Sequence, residues 1–264
     1  MQKCLIKQPR EKNTLNPACV YTDRYRIVAR YRSNWKKYNC ARIHISIPLL
    51  PSYDERSRSI IDWAKQNFAH VTLCIHDTLQ RYNLMALGWD EKQAYDKALV
   101  NGDDWLKANL PPSDDDVEVI RWDSLLAHKD YPSVHEKICR IYEEDKDFSD
   151  ALDSDSAVFA ERCQKRGEPF NSARIALSRA FLLEEVSGLV LLCQGSSAAD
   201  VYSGSRMKAM QLLLDKKTYF HFKDNSVMPI KVFDRARPSI PPAKQSLPSL
   251  ARVSTARHRA GSGR

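Results

Sequence analysis

The stretch Arg42-Ile43-His44-Ile45-Ser46-Ile47-Pro48 decides how the rest of the chain is read. Polar and β-branched apolar residues alternate along it, which is the period of a half-buried strand. Pro48, with no backbone N–H to give to a sheet, ends it. Just downstream, Ile60, Ile61, Ala64 and Phe68 recur at helical spacing with Trp63 beside them, so residues 54–68 are expected to form a helix. Val71 to Ile75 is a second apolar strand. Residues 77–87 and 90–106 are expected to be helical, the second with Ala94, Ala98, Leu99 and Trp105 on its apolar side. Pro111, Pro112 and the acidic Asp114, Asp115 and Asp116 make a loop, and residues 117–122 a third strand. Helices are expected over 133–148, 150–165 and 172–193. Strand, helix, strand, helix, strand is the order of a right-handed parallel α/β sheet flanked by helices. In such sheets a ligand sits beyond the C-terminal ends of the strands, which directs attention to the Ser46–Tyr53 and His76–Asp77 turns.

The length of 264 residues allows one large domain or two small ones, and 43% hydrophobic with 28% charged residues is the balance of a globular protein with a real core. Eight glycines, with the only G-x-G at Gly261-Ser262-Gly263, argue against a dinucleotide fingerprint or a P-loop, both of which press backbone against phosphate. The longest clean apolar run, Leu189 to Cys193, is far too short for a membrane span, and the first residues carry no secretory h-region. Seven cysteines, odd in number and without C-x-x-C, suggest reduced thiols and a cytoplasmic protein. No metal site is expected, since the histidines show neither H-x-x-x-H nor H-E-x-x-H.

The formal charge is +8, but residues 235–264 hold seven Lys/Arg and no acid, so the remainder carries only about +1. The expected organisation is a loosely ordered segment over 1–20, a folded catalytic domain over 21–234, and a basic disordered tail over 235–264. Residues 21–37 mix Arg24, Arg26, Arg30, Arg32, Lys36 and Lys37 with aromatics against the single acid Asp23. That composition suits either a nucleic-acid surface or a solvated amphipathic edge.

Three features carry chemistry. Ser46 ends the first strand and can be presented to a cleft, but no G-x-S-x-G elbow accompanies it. Glu184 and Glu185 lie in a helix otherwise made of Phe181, Leu182, Leu183, Val186, Leu189 and Val190. Two carboxylates cannot both face an apolar core cheaply; a buried one is poised to bind an amine or act as a base. Tyr202 follows a polar segment and is expected on a loop, where a phenol can relay a proton. His44 and His76, near strand ends, are expected to be structural.

Several segments together resemble the cyclodipeptide synthases. Asp77-Thr78-Leu79-Gln80-Arg81-Tyr82-Asn83, Gly102-Asp103-Asp104-Trp105-Leu106 with Asn109, Phe181-Leu182-Leu183-Glu184-Glu185 and Val201-Tyr202-Ser203-Gly204 are similar, in order and spacing, to blocks of that family's second, Tyr-Pro subgroup. The resemblance implies a single Rossmann-like domain, similar to the catalytic domain of class I aminoacyl-tRNA synthetases. It also implies two aminoacyl-tRNAs as substrates, and no cofactor, metal, membrane or obligate protein partner. By the same resemblance Ser46 is the nucleophile, carrying an aminoacyl group in a ping-pong scheme. Glu185 holds the substrate amine and later accepts its proton, and Tyr202 relays a proton during cyclisation. Phe181, Glu184 and Asp77 border the substrate; Arg24, Arg26, Arg30, Arg32, Lys92 and Lys97 are the candidates for tRNA. Departures stand beside these matches: His44-Ile45-Ser46 replaces a usual G-x-S, Phe181 lacks a tyrosine hydroxyl, and Ser203 replaces proline. Two other readings remain: a catalytically silent RNA-binding homologue on the same fold, and an unrelated serine-dependent hydrolase or acyltransferase. The latter requires an acid or histidine base within hydrogen-bond reach of Ser46.

Overall fold

Asp54 starts the first helix by accepting a hydrogen bond from the Ser57 backbone N–H, and Asp90 starts the third by accepting from Gln93. The computed structural model describes residues 19–21, 24–29, 37–48, 53–110, 116–165, 167, 172–202, 207–216, 218–223 and 225–234. The expectations for residues 1–18 and 235–264, and for Arg30, Arg32, Ser203 and Gly204, lie outside the described residues.

In chain order the elements are β1 (Cys19–Tyr21), β2 (Tyr25–Ala29), β3 (Cys40–Ser46), α1 (Glu55–Asn67), β4 (His70–His76), α2 (Arg81–Met85), α3 (Glu91–Asn109), β5 (Val117–Arg121), α4 (Trp122–Leu126), α5 (Tyr131–Glu144), α6 (Lys146–Lys165), α7 (Ser172–Gly195), β6 (Ala198–Tyr202), α8 (Lys208–Lys216) and β7 (Asn225–Asp234). The strands form one sheet in the order β1-β2-β7-β6-β3-β4-β5. From β7 to β5 every pairing is parallel, while β1 and β2 join antiparallel at one side. The expected α/β class with a helix-flanked parallel sheet is what the fold has.

Strand alternation sorts the core. Ile43 and Ile45 of β3 and Leu73 and Ile75 of β4 pack with Ile60, Ile61, Trp63 and Ala64 of α1 and Trp105 of α3. Residues of the other parity, Arg42, His44, Ser46, Cys74 and His76, stand on the opposite face. That face is covered by α7, whose Val186, Leu189 and Val190 join Cys74, Trp122, Ile138, Leu152 and Leu213 in a second cluster. Helix α7 is buried on nearly all sides from Phe181 to Cys193, so Glu184 and Glu185 are enclosed with it. Among the described residues no helix is long and apolar enough to cross a membrane.

Four sequence expectations need correction. Residues 133–148 do not make one helix: α5 stops at Glu144, and Asp145 restarts the chain as α6 by accepting from Phe148 N–H. Residues 77–87 break into a 3-10 turn at Thr78–Gln80 and the short α2. Trp122 opens α4 rather than ending β5. Tyr202 is the last residue of a strand, not part of a loop.

Gly188 of α7 allows a close approach of Trp122 at the start of α4. A Cβ there would lie 2.5 Å from Trp122, whose ring is fixed by a 2.9 Å Nε1–H bond to Glu184. Gly188→Ala is therefore expected to destabilise by about 1–3 kcal/mol through overpacking. Gly195→Ala, with nothing within 4 Å of the added carbon, should leave Tm near wild type. Thermal denaturation of the two variants side by side checks this.

Candidate active site

Ser46 is the last residue of β3, exposed, and paired across the parallel ladder with His76 at the end of β4. Its hydroxyl makes no hydrogen bond among the described residues. No carboxylate or imidazole is in hydrogen-bond reach of it, so the base that an unrelated serine hydrolase requires is not beside it among those residues.

The two glutamates of α7 differ sharply. Glu184 is fully engaged: its oxygens accept from both terminal nitrogens of Arg81, from the Tyr82 hydroxyl at 2.8 Å and from Trp122 Nε1 at 2.9 Å. Burial, followed by the charge of Glu184, pushes the Tyr82 phenol well above its ordinary value. Glu185 is 5% exposed, and its ion-pair contact among the described residues is a single one, 3.2 Å from Oε1 to His76 Nδ1. Phe181, one turn earlier, is buried against Phe159, stacked at 5.8 Å, and meets Tyr82 edge-on at 6.3 Å.

Behind Glu185 runs a buried polar file that sequence reasoning did not assemble. His76 Nε2 lies 3.1 Å from His44 Nδ1, and His44 Nε2 lies 3.1 Å from Asp200 Oδ1. Asp200 is gripped by Arg42 in a bidentate pair at 2.8 and 3.0 Å. Arg42 also donates to the Leu192 carbonyl and approaches Cys193 Sγ at 3.6 Å. Burial alone would raise the Asp200 carboxyl, but Arg42 and His44 outweigh it and hold the group below the usual carboxylate range. Burial pushes the His44 imidazole down, against the pull of Asp200. Burial likewise pushes the Cys74 and Cys193 thiols up to about 12, in keeping with small buried hydrophobes. One signal was available: an arginine between Ala41 and Ile43, inside a strand, demands a buried anion.

Asp77 is fully buried and its carboxylate is taken up by Arg121 and by the Thr78 and Trp122 backbone N–H groups. Gly102 permits this closeness, since a Cβ there would meet Asp77 at 2.7 Å and Arg121 at 2.8 Å. Tyr202 ends β6 two residues beyond Asp200, pairing with Pro229. Of the tRNA candidates, Arg24 is paired with Asp234 and Glu55, Arg26 lies over Phe233, Lys92 is paired with Asp96, and Lys97 is half-buried. Ser46, Glu185 and Tyr202 thus belong to elements that meet around the end of β3, whereas Arg24 and Arg26 lie at the β2 side of the sheet and Lys92 and Lys97 on α3. Among the described residues no group of three or more His, Cys, Asp or Glu is placed to hold a metal ion.

Solved structures share this architecture. A cyclodipeptide synthase from Fluoribacter dumoffii superposes with a TM-score of 0.69 at 20% identity, covering 80% of this chain and 99% of that one. The Mycobacterium tuberculosis protein, described as showing that cyclodipeptide synthetases are related to type I tRNA synthetases, gives 0.57 at 15% identity over 84% and 98%. A synthase from Candidatus Glomeribacter gigasporarum, solved bound to Phe-tRNAPhe, gives 0.57 at 17% over 79% and 92%. No curated protein sequence matches the chain. The cyclodipeptide synthase family model matches residues 39–190, more than half of the chain and the span that holds Ser46, His76, Glu184 and Glu185, and on that match this chain belongs to the cyclodipeptide synthase family.

Proposed function

We propose that this protein joins two aminoacyl groups, each delivered as an aminoacyl-tRNA ester, into a 2,5-diketopiperazine through an aminoacyl-Ser46 intermediate. The observation that carries the reading is an exposed serine at the end of β3 whose ladder partner His76 lies beside Glu185, an enclosed carboxylate with a single ion-pair contact among the described residues where its neighbour Glu184 is saturated. A serine with no base suits an ester that is already activated. The relative solved with Phe-tRNAPhe supports a charged tRNA as the donor.

In this scheme the Ser46 oxygen attacks the ester carbonyl, and the tRNA ribose oxygen leaves with a proton. Glu185 binds the ammonium of the Ser46-bound residue and takes one proton from it. The freed amine attacks the ester of the second aminoacyl-tRNA, giving a dipeptidyl-enzyme. The amine of the second residue then attacks the Ser46 ester, and Ser46 leaves with a proton relayed by Tyr202. Each cycle consumes two aminoacyl-tRNAs and releases two uncharged tRNAs, one cyclic dipeptide and two protons. Phe181 supplies an apolar wall one turn from Glu185. Arg24, Arg26, Arg30, Arg32, Lys92 and Lys97 are the cations proposed to face tRNA, within a proposed catalytic domain spanning 21–234.

Mass spectrometry of the medium from cells expressing the protein tests this directly. A cyclic dipeptide absent from cells without it supports the reading; soluble protein with no product points instead to a silent RNA-binding homologue. Glu185→Gln, which keeps the shape but removes the charge that holds an ammonium, is expected to lower product formation by about 10²–10⁴-fold. Glu184→Gln should instead lower Tm, because it strips the charge that Arg81 is buried against.

A further inference from the structure

Three contacts run in file from Asp200 to Glu185: Asp200 Oδ1 to His44 Nε2 at 3.1 Å, His44 Nδ1 to His76 Nε2 at 3.1 Å, and His76 Nδ1 to Glu185 Oε1 at 3.2 Å. Asp200 is an anion, because Arg42 holds both its oxygens. His44 Nε2 must therefore carry a hydrogen. If His44 is neutral its Nδ1 can only accept, so His76 Nε2 must donate. That fixes His76 as the Nε2–H tautomer and leaves Nδ1 facing Glu185. This nitrogen is buried in a side chain 1% exposed, and the contact is close but off the hydrogen-bond line, so Nδ1 makes no hydrogen bond among the described residues. A bare lone pair there, against a carboxylate oxygen, would be repulsive. Two hydrogen-bonded links take two protons, all that two neutral imidazoles bring, and the close His76 Nδ1–Glu185 contact is attractive only with a third.

We propose that the His44–His76 pair holds one additional proton between Asp200 and Glu185, with His76 as a positioning residue whose protonated Nδ1 keeps Glu185 a carboxylate, ready for the substrate ammonium. This rests on the reading of Glu185 as the amine site. When the ammonium gives up its proton, its N–H bond breaks and an O–H bond forms on Glu185, while His76 keeps its own proton and donates to the acid. Burial disfavours charge on His44 and so places the extra proton toward the His76 end.

The other groups that face the file are few among the described residues. The Trp122 ring of α4 lies 4.5 Å from His76, and Asp77, next along the chain, is already spent on Arg121. Asp155 of α6 feels the charge of Glu185 and is itself pushed up by burial. Arg42 shares the strand with His44, and Cys193 of α7 lies beside Arg42 and Asp200. With the extra proton, the set Arg42, Asp200, histidine pair and Glu185 is neutral overall, the arrangement a buried site favours.

The test is nitrogen-15 NMR of the His76 ring in the ligand-free protein at neutral pH, assigned by its loss in His76→Asn, together with the pH profile of product formation. The expected result is two protonated nitrogens in wild type and in His44→Gln, whose amide can accept from His76 and donate to Asp200. In His44→Leu, His76 has no acceptor for its Nε2–H and should relax to one protonated nitrogen. With that cation lost from beside the carboxylate, the acid limb of the rate profile should lie at higher pH in His44→Leu than in His44→Gln. A neutral His76 in an active wild-type enzyme would overturn the proposal alone. A doubly protonated His76 in a protein that makes no product keeps the shared proton and overturns the synthase reading. If His44→Leu does not fold, the wild-type and His44→Gln spectra still decide.

Discussion

Ser46→Ala is expected to eliminate cyclic dipeptide formation, with a loss on the order of 10⁴-fold or more, while the protein folds normally. The size follows from the kind of step removed. A covalent carrier divides one difficult condensation into acyl transfers between esters and amines, and without it the first aminoacyl group has nowhere to reside while the second arrives. The absence of a stability effect follows from surroundings. Ser46 is exposed, closes a strand, and its hydroxyl holds nothing else among the described residues, so its removal falls within about 0.5 kcal/mol. Ser46→Cys retains a nucleophile of similar reach and should recover part of the activity. Product assays with charged tRNA, run beside thermal melts, separate this result from a folding defect.

Arg42→Ala is expected to have the largest effect on stability. The guanidinium ties three elements together: its own β3, Asp200 of β6, and the Leu192 carbonyl of α7. Its side chain is 2% exposed and that of Asp200 7% exposed. Removing one partner leaves the other as a buried uncompensated charge, which costs about 3–5 kcal/mol. Set against a typical total of about 5–15 kcal/mol, the variant should melt far lower and yield little soluble protein. Arg42→Lys cannot reproduce the bidentate fork and should rescue only in part. The same pair sets the acid response. Asp200 is held below its ordinary carboxylate value, so its contribution is present above about pH 4 and is lost as pH falls through its folded value. His44 is also held low, so the advantage of its neutral form is present above about pH 6.5 and is lost as pH falls further. Both slopes have one sign: the urea midpoint should fall as pH drops below about 6.5 through His44 and fall again below about pH 4 through Asp200, and the second fall should be missing in Asp200→Asn.

The part of the fold nearest the candidate serine was legible because its signals are local. Alternation over Arg42–Pro48, helical spacing from Ile60 to Phe68, and the capping aspartates at 54 and 90 all act within a few residues. Glu184 and Glu185 were conspicuous because their helix is otherwise apolar, although which of them was open depended on Arg81, Tyr82 and Trp122 closing around the other. What escaped was set by distance in the chain. β6 is five residues with small Ala198 and Ala199 and lacked a strand signature until β3 and β7 enclosed it. The run around Arg24 and Arg26 was weighed as a charged surface. Its alternation, with Tyr25 and Ile27 buried and Arg24 and Arg26 exposed, is that of β2 completing the sheet. His44, His76 and Asp200 looked unrelated because their contacts cross 32 and 156 positions.

The most direct test of the central claim is a rapid acid quench of the purified protein with aminoacyl-tRNA, followed by proteolysis and mass spectrometry. The account predicts one aminoacyl group, ester-linked to the peptide that contains Ser46, building up further in Glu185→Gln and absent from Ser46→Ala. Product formation with no acyl group on Ser46, or with the group on a different residue, would contradict it.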